Sequence, residues 1–368
     1  MSSPRVAVVG GGISGLTAAH RLRTLLGPAA EVVVLEQRDR VGGVLRTVDL
    51  AGVPYDVGAE AFLWRRPELR ELLDELGLAG EVVHPAGAAA SVRAGGVTVP
   101  LPTGTLLGVP TSAARLDGVL SAAGSAAARA ERDRPIDWAT GGDVALGGLL
   151  RERFGDELAD RLADPLLGGV YAGRVDALGL RATVPALAAA LDAGAPSVTV
   201  AADRATAPPS ASPGSVHGEL RVLAQPPVFG ALRGGYAVLV DALATGVDVR
   251  LSTTVRALNR LAGGWRLVLG PDQGVLDVDA VVLAVPAPAA ARLLAEVVPT
   301  AATAAAEIQL ASSVVVALAY REGDATRLPA TSGVLVAAGE PVSIKAATHS
   351  SRKWPHLTAS ATDGLVRL

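Results

Sequence analysis

A chain of 368 residues, half of them apolar and 19% charged, is long enough for two packed domains or one large α/β unit, and its composition excludes a disordered protein. The 33 basic and 36 acidic residues leave a net charge of −3, which gives no electrostatic ground for nucleic acid as a partner. There is no cysteine, so disulfides, thiolate metal sites and cysteine nucleophiles are excluded. His20, His84, His217, His349 and His356 are scattered without ligand-like spacing, and no metal site is expected.

The first residues lack the charged, apolar and cleavage regions of a secretory signal, so a cytoplasmic location is expected. The most apolar stretch, Ala280 to Val298, is interrupted by Pro286, Pro288, Arg292 and Glu296, so no membrane-spanning helix is predicted, which leaves room for a peripheral membrane contact.

In chain order, the apolar run Arg5 to Val9 meets Gly10-Gly11-Gly12, and apolar residues then recur at helical spacing from Ile13 to Leu26. After Gly27-Pro28, the β-branched run Glu31 to Leu35 stops at Glu36, and the whole reads as β-α-β, the opening of a doubly wound sheet. Leu69 to Leu78 is predicted as an amphipathic helix and Val92 to Leu101 as a hairpin turning at Gly95-Gly96. Ala113 to Leu191 is expected to be helix-rich, with Leu149 to Leu167 the clearest amphipathic segment. Asp203 to Val216, rich in proline, serine and alanine, reads as an exposed linker. Strands are predicted at Val247 to Val255, Gly264 to Leu269 and Val278 to Val285, the last fully buried, and at Ser312 to Tyr320. The strand within Ala280 to Val285, ending at Pro286, is expected to return to the first sheet and make that domain discontinuous.

The sharpest motif is Gly10-Gly11-Gly12-Ile13-Ser14-Gly15, a Gly-x-Gly-x-x-Gly set between predicted strand and helix. Gly10 permits the tight turn, Gly12 lets a pyrophosphate approach the backbone, Gly15 lets the helix pack on the strand, and the helix N-terminus offers free N–H groups. Glu36 follows Gly15 by 21 residues, where a carboxylate can accept both ribose hydroxyls and argues against a 2′-phosphate. The motif alone does not say which dinucleotide. The glycine pair in Arg40-Val41-Gly42-Gly43-Val44-Leu45-Arg46 allows a close backbone approach to a diphosphate or a flavin edge, and Tyr55-Asp56-Val57-Gly58-Ala59-Glu60-Ala61 supplies a second such approach. Read as plain structure, both are tight turns.

Gly10 to Gly15, Glu36 and the glycine pair resemble the flavin-binding opening of the FAD-dependent amine oxidase and protoporphyrinogen oxidase superfamily. Pro100-Leu101-Pro102-Thr103-Gly104 with Gly108-Val109-Pro110, Arg153-Phe154-Gly155, Asp164 to Gly173, and Ser351-Arg352-Lys353-Trp354-Pro355-His356 are similar to its porphyrinogen oxidase branch, in the form found in high-GC Gram-positive bacteria. The resemblance covers essentially the whole chain. It implies an α/β fold: a discontinuous Rossmann-like, doubly wound FAD-binding sheet at 1–90 and 225–295, a helical insertion at 110–203, a linker at 204–216, and a β-rich substrate domain at 91–109 and 296–368. Family members continue for about a hundred residues more, on the order of another small domain, so a C-terminal segment is expected to be missing after Leu368.

The resemblance further implies that Gly10, Gly11, Gly12, Ile13, Ser14 and Gly15 hold the FAD diphosphate, with Glu36 and Gln37 on the adenosine ribose. It implies that Gly43, Val44, Gly58, Ala59, Glu60 and Ala61 line the flavin region, that Val255 meets adenine through its backbone, and that the loop with Gly168, Gly169, Tyr171, Ala172 and Gly173 faces a tetrapyrrole. The implied reaction is the six-electron oxidation of coproporphyrinogen III to coproporphyrin III in haem biosynthesis, with O₂ as acceptor and hydrogen peroxide as product. Protoporphyrinogen IX oxidation, or a flavin-binding protein without turnover, are the alternatives. Oxidation of amines or polyenes and a plain NAD-dependent dehydrogenase are weaker readings. No catalytic base is evident, in keeping with chemistry carried by the cofactor. Substrate propionates call for cations, and nearly all basic residues are arginine, Lys345 and Lys353 being the lysines. Arg46, Arg65 and Arg352 lie near the motifs, while Tyr171 and Trp354 are candidates for apolar contact and more in keeping with core packing. A contact with another haem-pathway enzyme is a further expected partnership.

Overall fold

The computed structural model describes residues 3–207, 227–321, 323, 328–359 and 365–368. The chain divides into two compact units, one of Met1–Pro85, Pro226–Leu310 and Val314–Ala319, the other of Ala86–Gln225, Ala311–Ser313 and Tyr320–Leu368. Residues 296–310 thus cluster with the first unit.

In the first unit, β1 (Arg5–Val9), α1 (Ile13–Leu26) and β2 (Glu31–Leu35) have the bounds the sequence pattern predicts. Four of the five residues in each strand are buried, because α1 covers one face through Ala19 and Leu22 and a three-stranded meander covers the other. A short hairpin, β3 (Thr47–Asp49) and β4 (Pro54–Asp56), and the amphipathic helix α2 (Pro67–Glu75) follow. After the excursion into the second unit come α3 (Ala237–Ala244), β5 (Asp248–Arg250), the antiparallel meander β6 (Val255–Leu261), β7 (Gly264–Leu269) and β8 (Val275–Val278), then β9 (Ala280–Leu283) and α4 (Ala287–Leu294).

The parallel sheet runs β5-β2-β1-β9, with Val6 opposite Ala280 and Val9 opposite Leu283. The late strand therefore does rejoin the first sheet. It is not fully buried as its apolar run suggested: it borders one neighbour, β1, so Ala280 is exposed and Val281 to Leu283 are half-buried. The predicted strand over 247–255 also divides, into β5 and the first residue of β6, with a turn between them.

The second unit packs helices Leu146–Phe154, Asp164–Tyr171, Pro185–Asp192 and Val198–Thr206 around a leucine- and alanine-rich core. Its four-stranded sheet orders Ala346–Thr348, Gly333–Val336, Ala90–Ala94 and Val97–Pro100. The last two form the hairpin expected at Gly95-Gly96, whose φ values of 59° and 81° suit a two-residue turn that matches strand twist.

Two further expectations are corrected. Asp203 to Thr206 continue the helix Val198–Thr206 instead of opening a linker, since Asp203 is tied to the Ser112 backbone N–H; residues 208–216 lie outside the described residues. Ser312 to Tyr320 contains strand only at Ala319–Arg321, and Val314 is 88% exposed. β-branched composition favours a strand only where a neighbouring strand supplies the pairing.

Candidate functional site

In a doubly wound sheet the carboxyl ends of the parallel strands collect a ligand. Here Val9, Leu35 and Leu283, the last residues of β1, β2 and β9, all border one cavity of about 820 Å³. The first of these strands ends where the Gly10 N–H donates to Leu35 O at 2.8 Å. Gly10 has φ +108°, and a side chain there would strike the carbonyl oxygen of Ala284. A side chain at Gly15 would run into the carbonyl oxygen of Gly10, so both glycines are demanded by the protein's own packing.

Gly12 is different. Its φ of −74° is ordinary, and an added Cβ would meet nothing closer than Gly43 Cα at 3.8 Å. Gly12 caps α1 and lines the cavity with Ile13 and Ser14, and no side chain caps that helix terminus. The free N–H groups of the first turn and the positive end of the helix dipole therefore face a space suited to an anion.

Glu36, buried at the end of β2, accepts the Gly11 N–H on Oε2 at 2.6 Å and the Arg38 N–H on Oε1 at 2.9 Å. These bonds fix the carboxylate at the cavity wall beside Gln37, and each oxygen keeps a second lone pair. Gly43 and Val44 line the same cavity, and so does Val255, where β6 opens with a bulge between Val255 and Ala257.

Of the residues singled out from sequence, Gly10, Gly12, Ile13, Ser14, Glu36, Gln37, Gly43, Val44 and Val255 are thus gathered around one space. Gly11 supports it through Glu36, and Gly15 through packing. Gly58, Ala59, Glu60 and Ala61 do not line this cavity; Gly58 packs against Val44, whose carbonyl sits where a Gly58 side chain would be. The neighbouring Asp56 accepts from the Thr47 hydroxyl and from the Tyr236 N–H, pinning the β3–β4 hairpin to the start of α3. Burial pushes its carboxyl above the ordinary value, and the two hydrogen bonds oppose that shift.

Sequence reading missed Arg256 on β6, Arg292 on α4 and, from loops, Thr253, Thr254, Pro286 and Arg38, all of which line the cavity. The strand-end rule could have found Pro286, because it closes a strand already assigned to the first sheet.

In the second unit, Gly168, Gly169 and Tyr171 are helical and not part of a loop, and the helix ends at Ala172 in a left-handed conformation before Gly173. Asp164, at the start of this helix, accepts the Val175 N–H at 2.8 Å and so ties the chain beyond Gly173 back to it. Tyr171 is 41% exposed and donates its hydroxyl to Thr183 O. Trp354 is buried in the core, whereas Arg46, Arg65 and Arg352 are exposed. Among the described residues no cluster of histidine and carboxylates could hold a metal, and no helix is long and apolar enough to cross a membrane.

Parallel sheet, glycine turn and an acid at the end of the second strand define an α/β protein of the dinucleotide-binding kind. A family profile described as flavin containing amine oxidoreductase matches residues 13–362. Coproporphyrinogen III oxidase of Mycobacterium tuberculosis (strain ATCC 25618 / H37Rv) is 46% identical over 355 residues, 96% of this chain and 74% of that protein. The Propionibacterium freudenreichii protein of the same name is 35% identical, over 98% of this chain and 71% of its own length. Among solved structures, an Exiguobacterium protein whose description proposes a protoporphyrinogen oxidase superposes with a TM-score of 0.79 at 26% identity, over 100% of this chain and 76% of its own. The chain belongs to the flavin-containing amine oxidoreductase family, and is an oxidoreductase with a flavin cofactor.

Proposed function

We propose that this protein is an FAD-dependent oxidase that converts coproporphyrinogen III to coproporphyrin III with O₂ as electron acceptor. The observation that carries the reading is 46% identity, across 96% of the chain, to a protein of that name. The cavity suits the cofactor: Gly12 leaves open the space its own backbone does not need, an uncapped helix faces it, and a fixed carboxylate stands at the second strand's end.

In this reading Gly10 to Ser14 and the first turn of α1 would hold the diphosphate. Glu36 and Gln37 would take the adenosine ribose, the Val255 backbone the adenine, and Val44 with 58–61 the flavin side. When bound, FAD supplies the two-electron chemistry, accepting hydride from carbon and passing the pair to O₂. Three such rounds remove six electrons and six protons from the porphyrinogen and give three hydrogen peroxide. The chain's own task is to bind, orient and exclude water. The stretch Gly168 to Gly173, in which Gly168 and Gly169 lie in the helix and Gly173 follows a left-handed Ala172, is the proposed tetrapyrrole contact, with backbone at those three glycines carrying no side chain.

Two measurements test the reading. Protein mixed with FAD and desalted should keep a flavin band near the ordinary visible maximum; a folded chain without the band would overturn the cofactor. Loaded protein given anaerobically prepared coproporphyrinogen III and then air should produce coproporphyrin fluorescence faster than it oxidises protoporphyrinogen IX. Preference for the second, two-propionate substrate would overturn the substrate assignment.

A further inference from the structure

Arg40 does not line the cavity, yet its guanidinium spans the loop that does. Nη1 donates to Val41 O at 3.1 Å and to Leu45 O at 3.3 Å, and Nη2 donates to Gly43 O at 3.0 Å. We infer that Arg40 is a positioning residue: it fixes the Gly43–Val44 wall of the cavity, and through that wall sets how tightly the chain holds its flavin. The second half of this inference rests on the FAD reading above; the first half does not.

The argument starts from the backbone. Gly42 and Gly43 take φ values of 98° and 60°, a conformation that closes the loop but leaves the carbonyls of 41, 43 and 45 outside any strand ladder. Two adjacent glycines also carry the largest conformational freedom of any residue pair, so an unheld loop here would sample many shapes. Carbonyls that converge on one point need several donors from one centre, which a planar guanidinium offers and few other side chains can. Arg40 is half-buried and, among the described residues, is bonded to these carbonyls and to no carboxylate.

The loop so held touches both glycine segments of the site. The Gly42 N–H donates to Gly11 O at 2.8 Å, and Gly43 packs so closely on Gly12 that a side chain at 43 would lie 3.0 Å from Gly12 Cα. On its other side, the Val44 carbonyl occupies the space that Gly58 leaves. Arg40 therefore couples the glycine turn to Gly58 without itself lining the cavity. A wall fixed before binding spares the ordering cost that a mobile loop would pay on capture.

The test uses Arg40→Lys and Arg40→Gln in the full chain. Hydrogen exchange of the apo protein should be at least tenfold faster over residues 41–46 in both variants, with Arg5–Val9 and Glu31–Leu35 unchanged, because the opening is local. The FAD dissociation constant, from quenching of flavin fluorescence, should rise about tenfold or more, and Lys should not rescue it, since an ammonium lacks the planar fork. Parent-like exchange over 41–46, or equally faster exchange throughout β1 and β2, would overturn the positioning role. Faster exchange with an unchanged dissociation constant would overturn the link to flavin. If the folded parent itself retains no FAD, the cofactor reading fails and the coupling to flavin with it, while the exchange comparison still decides what Arg40 does.

Discussion

The carboxylate of Glu36 lies 2.6 Å from the backbone nitrogen of Gly11, so the acid at the end of the second strand is bonded to the middle of the glycine turn at the end of the first. Its other oxygen takes the Arg38 N–H, and the side chain is 6% exposed. Glu36→Gln puts an amide NH₂ against one of two N–H donors and removes the charge that strengthens both bonds. The ribose hydroxyls proposed to donate to this carboxylate would lose a charged acceptor, worth on the order of 2 kcal/mol, so the variant should bind FAD roughly thirtyfold more weakly. Titration by flavin fluorescence checks this; an unchanged dissociation constant would mean that the carboxylate serves the turn alone.

Two glycines of the motif should separate by experiment. Gly15→Ala drives a methyl into the Gly10 carbonyl, so the first unit should lose much of its stability, visible as a lower urea midpoint of the apo protein. Gly12→Val places its Cβ no closer than 3.8 Å to any protein atom, an ordinary contact with Gly43 Cα, and should leave that midpoint nearly unchanged while abolishing flavin retention after desalting. Equal loss of stability in both variants would contradict the distinction between a glycine kept for packing and one kept for a ligand.

The opening β-α-β was legible to the residue because each signal there is local: an apolar run, a glycine that must turn, and a helical repeat to Leu26. The hairpin at Gly95-Gly96 was legible for the same reason. Ser312 to Tyr320 was misread because its β-branched residues state a preference that only a partner strand can realise. The site divided along the same line. Gly12 and Glu36 announce themselves by spacing, whereas Arg256 and Arg292 reach the cavity from β6 and α4, elements more than two hundred residues from the glycine turn. Arg40 was readable as a motif residue, but its bonds to three carbonyls follow from a loop conformation that spacing does not specify.

In the second unit, Arg153 Nε donates to Glu131 Oε1 at 2.8 Å, with both side chains buried. Glu131 also accepts the N–H groups of Val198 and Thr199, capping the helix that begins there. Arg153→Met strands a buried carboxylate and should cost about 3–5 kcal/mol in urea unfolding. Replacing both residues by apolar ones often recovers such a loss, but here it should not, because two helix N–H groups would be left without their acceptor. A double variant Glu131→Leu, Arg153→Met as stable as the parent would show that the capping contributes nothing.

Asp192 gives a pH dependence whose sign follows from its partners. Both its oxygens accept from the Arg181 guanidinium at 2.8 Å, and Oδ1 also takes the Trp138 indole N–H and the Gly141 N–H. The Arg181 guanidinium first, then Trp138 and Gly141, hold this carboxyl well below the usual carboxylate range in the folded chain. The unfolded chain thus binds the proton more readily, and the stabilisation is fully present above the ordinary carboxylate pKa of about 4. It is lost as the pH falls below that value toward the depressed folded pKa. Asp192→Asn keeps the shape but removes the charge, so the parent should exceed the variant in urea midpoint near neutrality, and the gap should narrow on acidification below about pH 4. A gap that stays constant from neutral to acid pH would show that the Arg181 pairing adds nothing to stability.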